Sequence, residues 1–132
     1  MFLTRLTRCA AVGMGGLALV AASATAAGAD AYAPYAQAAA HVTANGTLLE
    51  AKSIDAVTRP STGIYCLHVS DPEINFSESI FTATLGTGAN RGSSVQIALG
   101  RTECGGDPRT IPVVTGDRNG SFAGQEFYLT IQ

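Results

Sequence analysis

At 132 residues the chain is long enough for one domain and too short for two of ordinary size. Eight basic residues face ten acidic ones, a formal charge of −2. That balance argues against nucleic acid or an anionic membrane surface as a partner held by overall charge.

The first residues read as an address. "MFLTRLTR" sets Arg5 and Arg8 ahead of the apolar run 9–22, and the small residues "SATAAGA" follow. A basic start, ~14 apolar residues and small residues at the −3 and −1 positions make a secretory signal peptide. A membrane-spanning helix would need ~20. The expectation is a signal peptide over 1–29, cut after Ala27 or Ala29, with Ala24 as an earlier choice. Cys9 precedes the apolar run, so no lipoprotein box is present, and no adjacent arginine pair marks the twin-arginine route. The exported chain would be extracellular and free of the membrane. Six basic residues would then oppose ten acidic ones, a charge near −4.

Residues 30–40, "DAYAPYAQAAA", read as a flexible or weakly helical leader. Alanine favours helix, but Pro34 interrupts the run and no apolar face repeats. From His41 the pattern is β. Asn45-Gly46 stands between short apolar runs and signals a two-residue hairpin turn. "KSIDAVTRP" alternates Ile54, Ala56 and Thr58 against Asp55, Val57 and Arg59. In "IYCLHV", Tyr65, Leu67 and Val69 share one face, and Ile64, Cys66 and His68 the other. "ESIFTATLG" gives one face to Phe81, Ala83 and Leu85, and "VQIAL" one to Val95, Ile97 and Leu99. "TIPVVTG" carries Pro112 and so is placed at a sheet edge. "EFYLTI" closes the chain with Phe127, Leu129 and Ile131 inward. No window after residue 40 repeats with helical period. The expected fold is all-β: a small antiparallel β-sandwich or barrel of about seven strands, formed by residues 41–132 as a single domain.

The exported chain keeps two cysteines, Cys66 and Cys104. An even count in an oxidising compartment favours a disulfide. Metal is the first rival: Cys66 and His68 project from one strand face and Cys104 could join them, but zinc-type spacings and a clear fourth ligand are absent, His41 being the only other histidine. A Cys66 nucleophile activated by His68 is the second, and an exported thiol with a second cysteine nearby tends to oxidise.

Other constellations are weaker. No serine sits in a G-x-S-x-G elbow. Glu73 with Glu78, or Asp107 with Asp117, would supply a carboxylate pair for glycosidic cleavage, although their spacing selects neither. "GDRNGS" echoes a calcium loop through Asp117 and Asn119 without the full pattern. "GTGANRG" resembles a phosphate-binding loop in glycine content alone; no lysine follows and no helix opens after it. Asn45, Asn75 and Asn119 begin Asn-x-Ser/Thr triplets, which matter only in a glycosylating host. Tyr65, Tyr128, Phe76 and Phe122 would form a sugar-stacking platform if exposed.

Taken in order, "ANGTLLEAKSIDAVTRPSTGIYCLHV", "VQIALGRTEC" and "IPVVTGDRNGSFAGQEFYLTI" resemble small secreted β-domain proteins of streptomycetes and other actinobacteria. They are distantly similar to segments of phage tail-fibre-like proteins. The likeness spans about residues 38–132. Seven arginines against the single Lys52, and the wealth of alanine, agree with a high-GC bacterial source. The resemblance implies a bridge between the cysteine after the tyrosine and one near Cys104. The tail-fibre likeness implies a β-module that trimerises or binds surfaces. Neither implies an activity. This chain departs from the pattern at 59–63, "RPSTG", and at Gln125-Glu126.

Three functions stand as expectations. The first is a non-enzymatic extracellular module that binds a protein or glycan, alone or as a homo-oligomer, without a cofactor. The second is a small hydrolase using carboxylates or Cys66. The third is an inhibitor of exported proteases, with "TGANRGSS" or "CGGDPR" as bait.

Overall fold

The structure is a computed structural model that describes residues 29–132. The expected signal peptide, Ala29 apart, lies outside the described residues. Nine strands run in chain order: β1 (Ala29–Asp30), β2 (Ala38–Val42), β3 (Leu48–Lys52), β4 (Ile54–Ser61), β5 (Ile64–Val69), β6 (Phe81–Leu85), β7 (Ser94–Ile97), β8 (Thr110–Gly116) and β9 (Phe127–Ile131). Among the described residues a single 3₁₀ turn is present, at Thr102–Cys104. The strands form two sheets, of order β1-β3-β2-β9-β6 and β4-β5-β8-β7. All pairs are antiparallel except β1 on β3. Two separate sheets make this a sandwich and not a barrel.

The core follows from the period-2 pattern. Tyr65, Leu67 and Val69 of β5 meet Phe127, Leu129 and Ile131 of β9, all buried between the sheets. Tyr65 and Phe127 pack edge to face, ring centroids 5.0 Å apart, a geometry that the ring quadrupoles favour. The Tyr65 hydroxyl donates to the Ala44 carbonyl at 2.5 Å, so the one polar atom of this ring is satisfied.

Four local expectations are corrected. Residues 38–40 are not leader: Ala38, Ala39 and Ala40 form the heart of β2, between β3 and β9, and are buried. The domain therefore starts before His41. Helix propensity loses to a central strand position, where the backbone pairs with β3 on one side and β9 on the other. The leader proper lies against the sheet: Lys52 Nζ donates to the carbonyls of Ala33 and Ala36, and Gln37 N–H donates to Ile131.

Pro112 is not at an edge, since β8 lies between β5 and β7. Its carbonyl accepts from Ala98 N–H, just past the end of β7 at Ile97. The missing proline N–H faces Ala98 at the point where the β7 ladder ends, and the Ala98 carbonyl accepts from Arg101 N–H instead. A bulge between Ile54 and Ala56 swaps the faces of β4, so Val57 joins the core opposite Leu67 and Ala56 turns outward. Finally, Asn45-Gly46 does not form a two-residue turn. Gly46 alone has positive φ (89°), Gly46 N–H donates to Thr43, and Thr43 N–H donates to Thr47. This is a type I turn closed by a glycine bulge, the next most common hairpin solution.

The "DRNGS" segment repeats the device. Gly120 (φ 82°) donates to Asp117, and Asp117 N–H donates to Ser121. Strand registers place turns 43–47, 61–63 and 117–121 and the loop 86–93 at one end of the sandwich. The loops 70–80 and 98–109 leave from the other end.

Candidate functional site

β5 presents Cys66 and His68 on its outer face. Cys66 is bonded to Cys104, with Cα atoms 5.5 Å apart and a separation of 38 positions in sequence. Both cysteines are therefore spent, which leaves no Cys66 thiolate for catalysis or for a metal. The bridge does not join the sheets. It draws the 3₁₀ turn 102–104 down onto β5 and β8 of one sheet, folding the loop 98–109 back over that sheet's outer face. The turn ends on Gly105 (φ 76°), whose N–H caps the Thr102 carbonyl.

The folded-back loop makes a groove of about 590 Å³. Phe76, Leu99, Pro108 and Pro112 give it apolar walls, and Arg101 and Asp107 give it charge. Leu99 does not continue β7, which ends at Ile97; it is 55% exposed. Arg109 holds the Phe76 wall. Its guanidinium lies 4.6 Å from the Phe76 ring centroid and donates to the carbonyls of Ile74 (2.7 Å) and Asp71. Such contacts position the ring without closing the groove.

His68 stands beside this loop. Its Nδ1 meets Asp55 Oδ1 at 2.6 Å, and its Nε2 faces Asp107 Oδ2 at 3.8 Å. The Arg109 N–H, then the Thr110 hydroxyl and the nearby His68 and Arg109 charges, hold the Asp107 carboxyl below the usual aspartate range. The imidazole thus has a carboxylate at each of its two nitrogens.

His41 is on the other sheet, so the two histidines are not brought together. It stacks on Tyr128 at 4.2 Å and meets Glu126 Oε1 at 2.5 Å. Glu126 also accepts the Gly88 N–H at 2.7 Å. The His41 bond first, and the Gly88 bond second, lower its pKa. Among the described residues, no group of three or more His, Cys, Asp and Glu side chains is placed to hold a metal ion.

The remaining candidates separate. Asp107 and Asp117 bracket β8, so they sit about 20 Å apart, beyond the reach of a glycosidase pair. Glu73 and Glu78 lie exposed in one loop. The Asp117 carboxylate accepts the N–H groups of Asn119 and Ser121, which is turn chemistry and not calcium ligation. The four proposed stacking rings disperse. Tyr65 is fully buried, Phe76 packs edge to face on Phe81, Tyr128 stacks on His41, and Phe122 sits 5.7 Å from the Arg101 guanidinium. The two proposed inhibitory loops are both tied down, "CGGDPR" by the bridge and "TGANRGSS" through Gln125 and Glu126. Sequence reasoning missed Leu99, Pro108 and Pro112 as groove residues. Their only signal was an apolar residue, a proline and a cysteine in one loop, with a second proline in the strand that follows. Comparison with family models, curated proteins and solved structures finds no match to this chain.

Proposed function

We propose that the chain is an extracellular binding module whose partner is a protein segment seated in the groove beside the Cys66–Cys104 bridge. The carrying observation is where the bridge is spent. The covalent link leaves the two sheets unjoined and fixes an exposed loop on the outer face of one of them. A loop immobilised before binding loses less entropy when a partner docks. Phe76, Leu99, Pro108 and Pro112 offer apolar area for one or two side chains, while Arg101 and Asp107 orient a backbone or a polar terminus. A glycan is the weaker fit here, because Phe76 is already engaged by Phe81 and Arg109. Export itself belongs to this proposal, resting on the sequence of residues 1–29 and on the bridge.

Peptide display against the oxidised protein tests the reading. Enriched peptides should shift the amides of residues 99–107 in NMR spectra, and Leu99→Glu or reduction of the bridge should abolish their binding. Failure to enrich any peptide, or peptides that map elsewhere and survive Leu99→Glu, would reject it.

A further inference from the structure

The other end of the sandwich carries a second cleft, of about 410 Å³, lined by Asn90, Arg91, Ser93, Asp117, Arg118 and Asn119. We infer that it binds an oxyanion carried on a hydroxyl-rich ligand, an acidic sugar group of the phosphate or carboxylate kind, gripped by Arg91 and Arg118.

The cleft is assembled from two β-turns, Asn90–Ser93 with its positive-φ glycine in third place and Asp117–Gly120 with its glycine in fourth. Ser93 N–H donates to Asn90, and Gly120 N–H donates to Asp117. Each turn has an arginine just after its first residue, and each uses a glycine at positive φ, Gly92 at 79° and Gly120 at 82°. The β7–β8 register, with Ser94 opposite Gly116, sets the two turns side by side. Gly92 is needed for that approach, because a Cβ there would stand 3.0 Å from the Arg118 Cβ. Arg91 and Arg118 are thus neighbours by construction, although they are far apart in sequence.

Both arginines are exposed, and neither forms a salt bridge among the described residues. By contrast, Arg101 is paired with Glu103 and Arg109 is bound to two carbonyls. The nearest carboxylate, Asp117, spends one oxygen on two backbone N–H groups of its own turn. Arg59 lies at the same end. A positive cluster on a net-acidic chain is a local feature, not a reflection of overall charge.

Two guanidinium forks fit the oxygens of a phosphate or carboxylate, and amides and hydroxyls fit a polyol. Asn90 and Asn119 supply the amides. Ser93 supplies a hydroxyl whose oxygen is buried and has no hydrogen-bond partner in the protein. An orphaned buried hydroxyl is costly unless something else bonds it. The cleft is also held in shape before any ligand arrives: Asn90 N–H donates to the buried Gln125 side chain, and Gly88 N–H to Glu126. Glycine content made loop 86–93 look like a phosphate loop, but the inferred grip comes from arginines and needs no helix.

The test is an NMR titration of the full chain with glucose 6-phosphate, glucuronate, inorganic phosphate and glucose at constant ionic strength. Saturable shifts confined to residues 90–93 and 117–121 are expected for the two acidic sugars, with weaker ones for inorganic phosphate and none for glucose. Arg91→Gln and Arg118→Gln should each weaken the sugar ligands about tenfold, and Arg91→Lys with Arg118→Lys should recover only part of that. Spectra unchanged outside the two turns will show that the variants fold. Non-saturating shifts spread over the surface, or affinity unmoved in the double glutamine variant, overturn the site. Inorganic phosphate binding as tightly as both acidic sugars overturns the sugar assignment. None of these readouts involves residues 99–107, so the groove proposal stands or falls separately.

Discussion

Reducing the Cys66–Cys104 bridge is the perturbation whose cost can be worked most directly. The bond closes a loop of 38 residues. The chain-entropy model charges the unfolded ensemble ~4 kcal/mol for a loop of that size, an upper figure because real denatured chains are already compact. In a domain of about a hundred residues each kcal/mol moves Tm by roughly 4–8 °C, so reduction should lower Tm by about 15–30 °C. The reduced protein should still fold, because no ladder bond of β5, β8 or β9 passes through the sulfurs. Urea titration followed by far-ultraviolet circular dichroism, with and without a phosphine reductant, gives the free energies. Hydrogen exchange then locates the loss. Amides 101–107 should open well before those of Leu67, Val113 and Leu129. A loss under about 1 kcal/mol, or core amides opening together with the loop, would refute the view that the bond clamps one loop on a self-sufficient sandwich.

Three further perturbations probe other parts of the fold. Gly63→Ala places a Cβ at φ 75°, within 2.6 Å of the Thr115 carbonyl oxygen and 2.8 Å of the Ala123 nitrogen; a loss of more than about 2 kcal/mol in urea titration is expected, since both obstacles are backbone. Phe127→Ala removes the ring that Tyr65 meets and should cost about 3–5 kcal/mol, with the unfolding slope in urea unchanged. Glu126→Gln tests linkage. A carboxyl whose pKa is lowered by folding adds stability above its unfolded pKa, and loses it as pH falls through the folded value. Wild type should therefore exceed Glu126→Gln in Tm at neutral pH, with the gap closing in acid below the ordinary glutamate range. A gap that persists there would mean that the His41 and Gly88 bonds do not act through the charge.

Much of the fold was readable because the inner faces obey a strict alternation. β5 and β9 are apolar at every second residue; in β9 only the inward set is buried, and in β5 the inward Tyr65, Leu67 and Val69 are buried together with Ile64 and Cys66 on the other face. The bridge was readable from an even cysteine count together with the expectation of export. What failed has local physical causes. The alanines of β2 have no strand signature of their own; only pairing with β3 and β9 makes them a strand. The bulge at Asp55 inverts a pattern that looks regular in one dimension. Pro112 was misplaced because an edge position and the overhang beyond a short neighbour satisfy the same rule. Neither cleft could be read at all. The groove needs loop 98–109 folded backward, and the arginine pair needs two turns set together by strand register.

The two matching turns, "TANGT" at 43–47 and "DRNGS" at 117–121, have a consequence for how this surface varies. Their shape is fixed by the first residue, the glycine and the backbone. Thr43 and Asp117 each accept N–H bonds from their own turn, and Gly46 and Gly120 supply the bend. The second residue, Ala44 in one and Arg118 in the other, contributes no side chain to that geometry. It is an interchangeable display position: new chemistry can be mounted there, by evolution or by grafting, while the hairpin beneath stays indifferent to the choice.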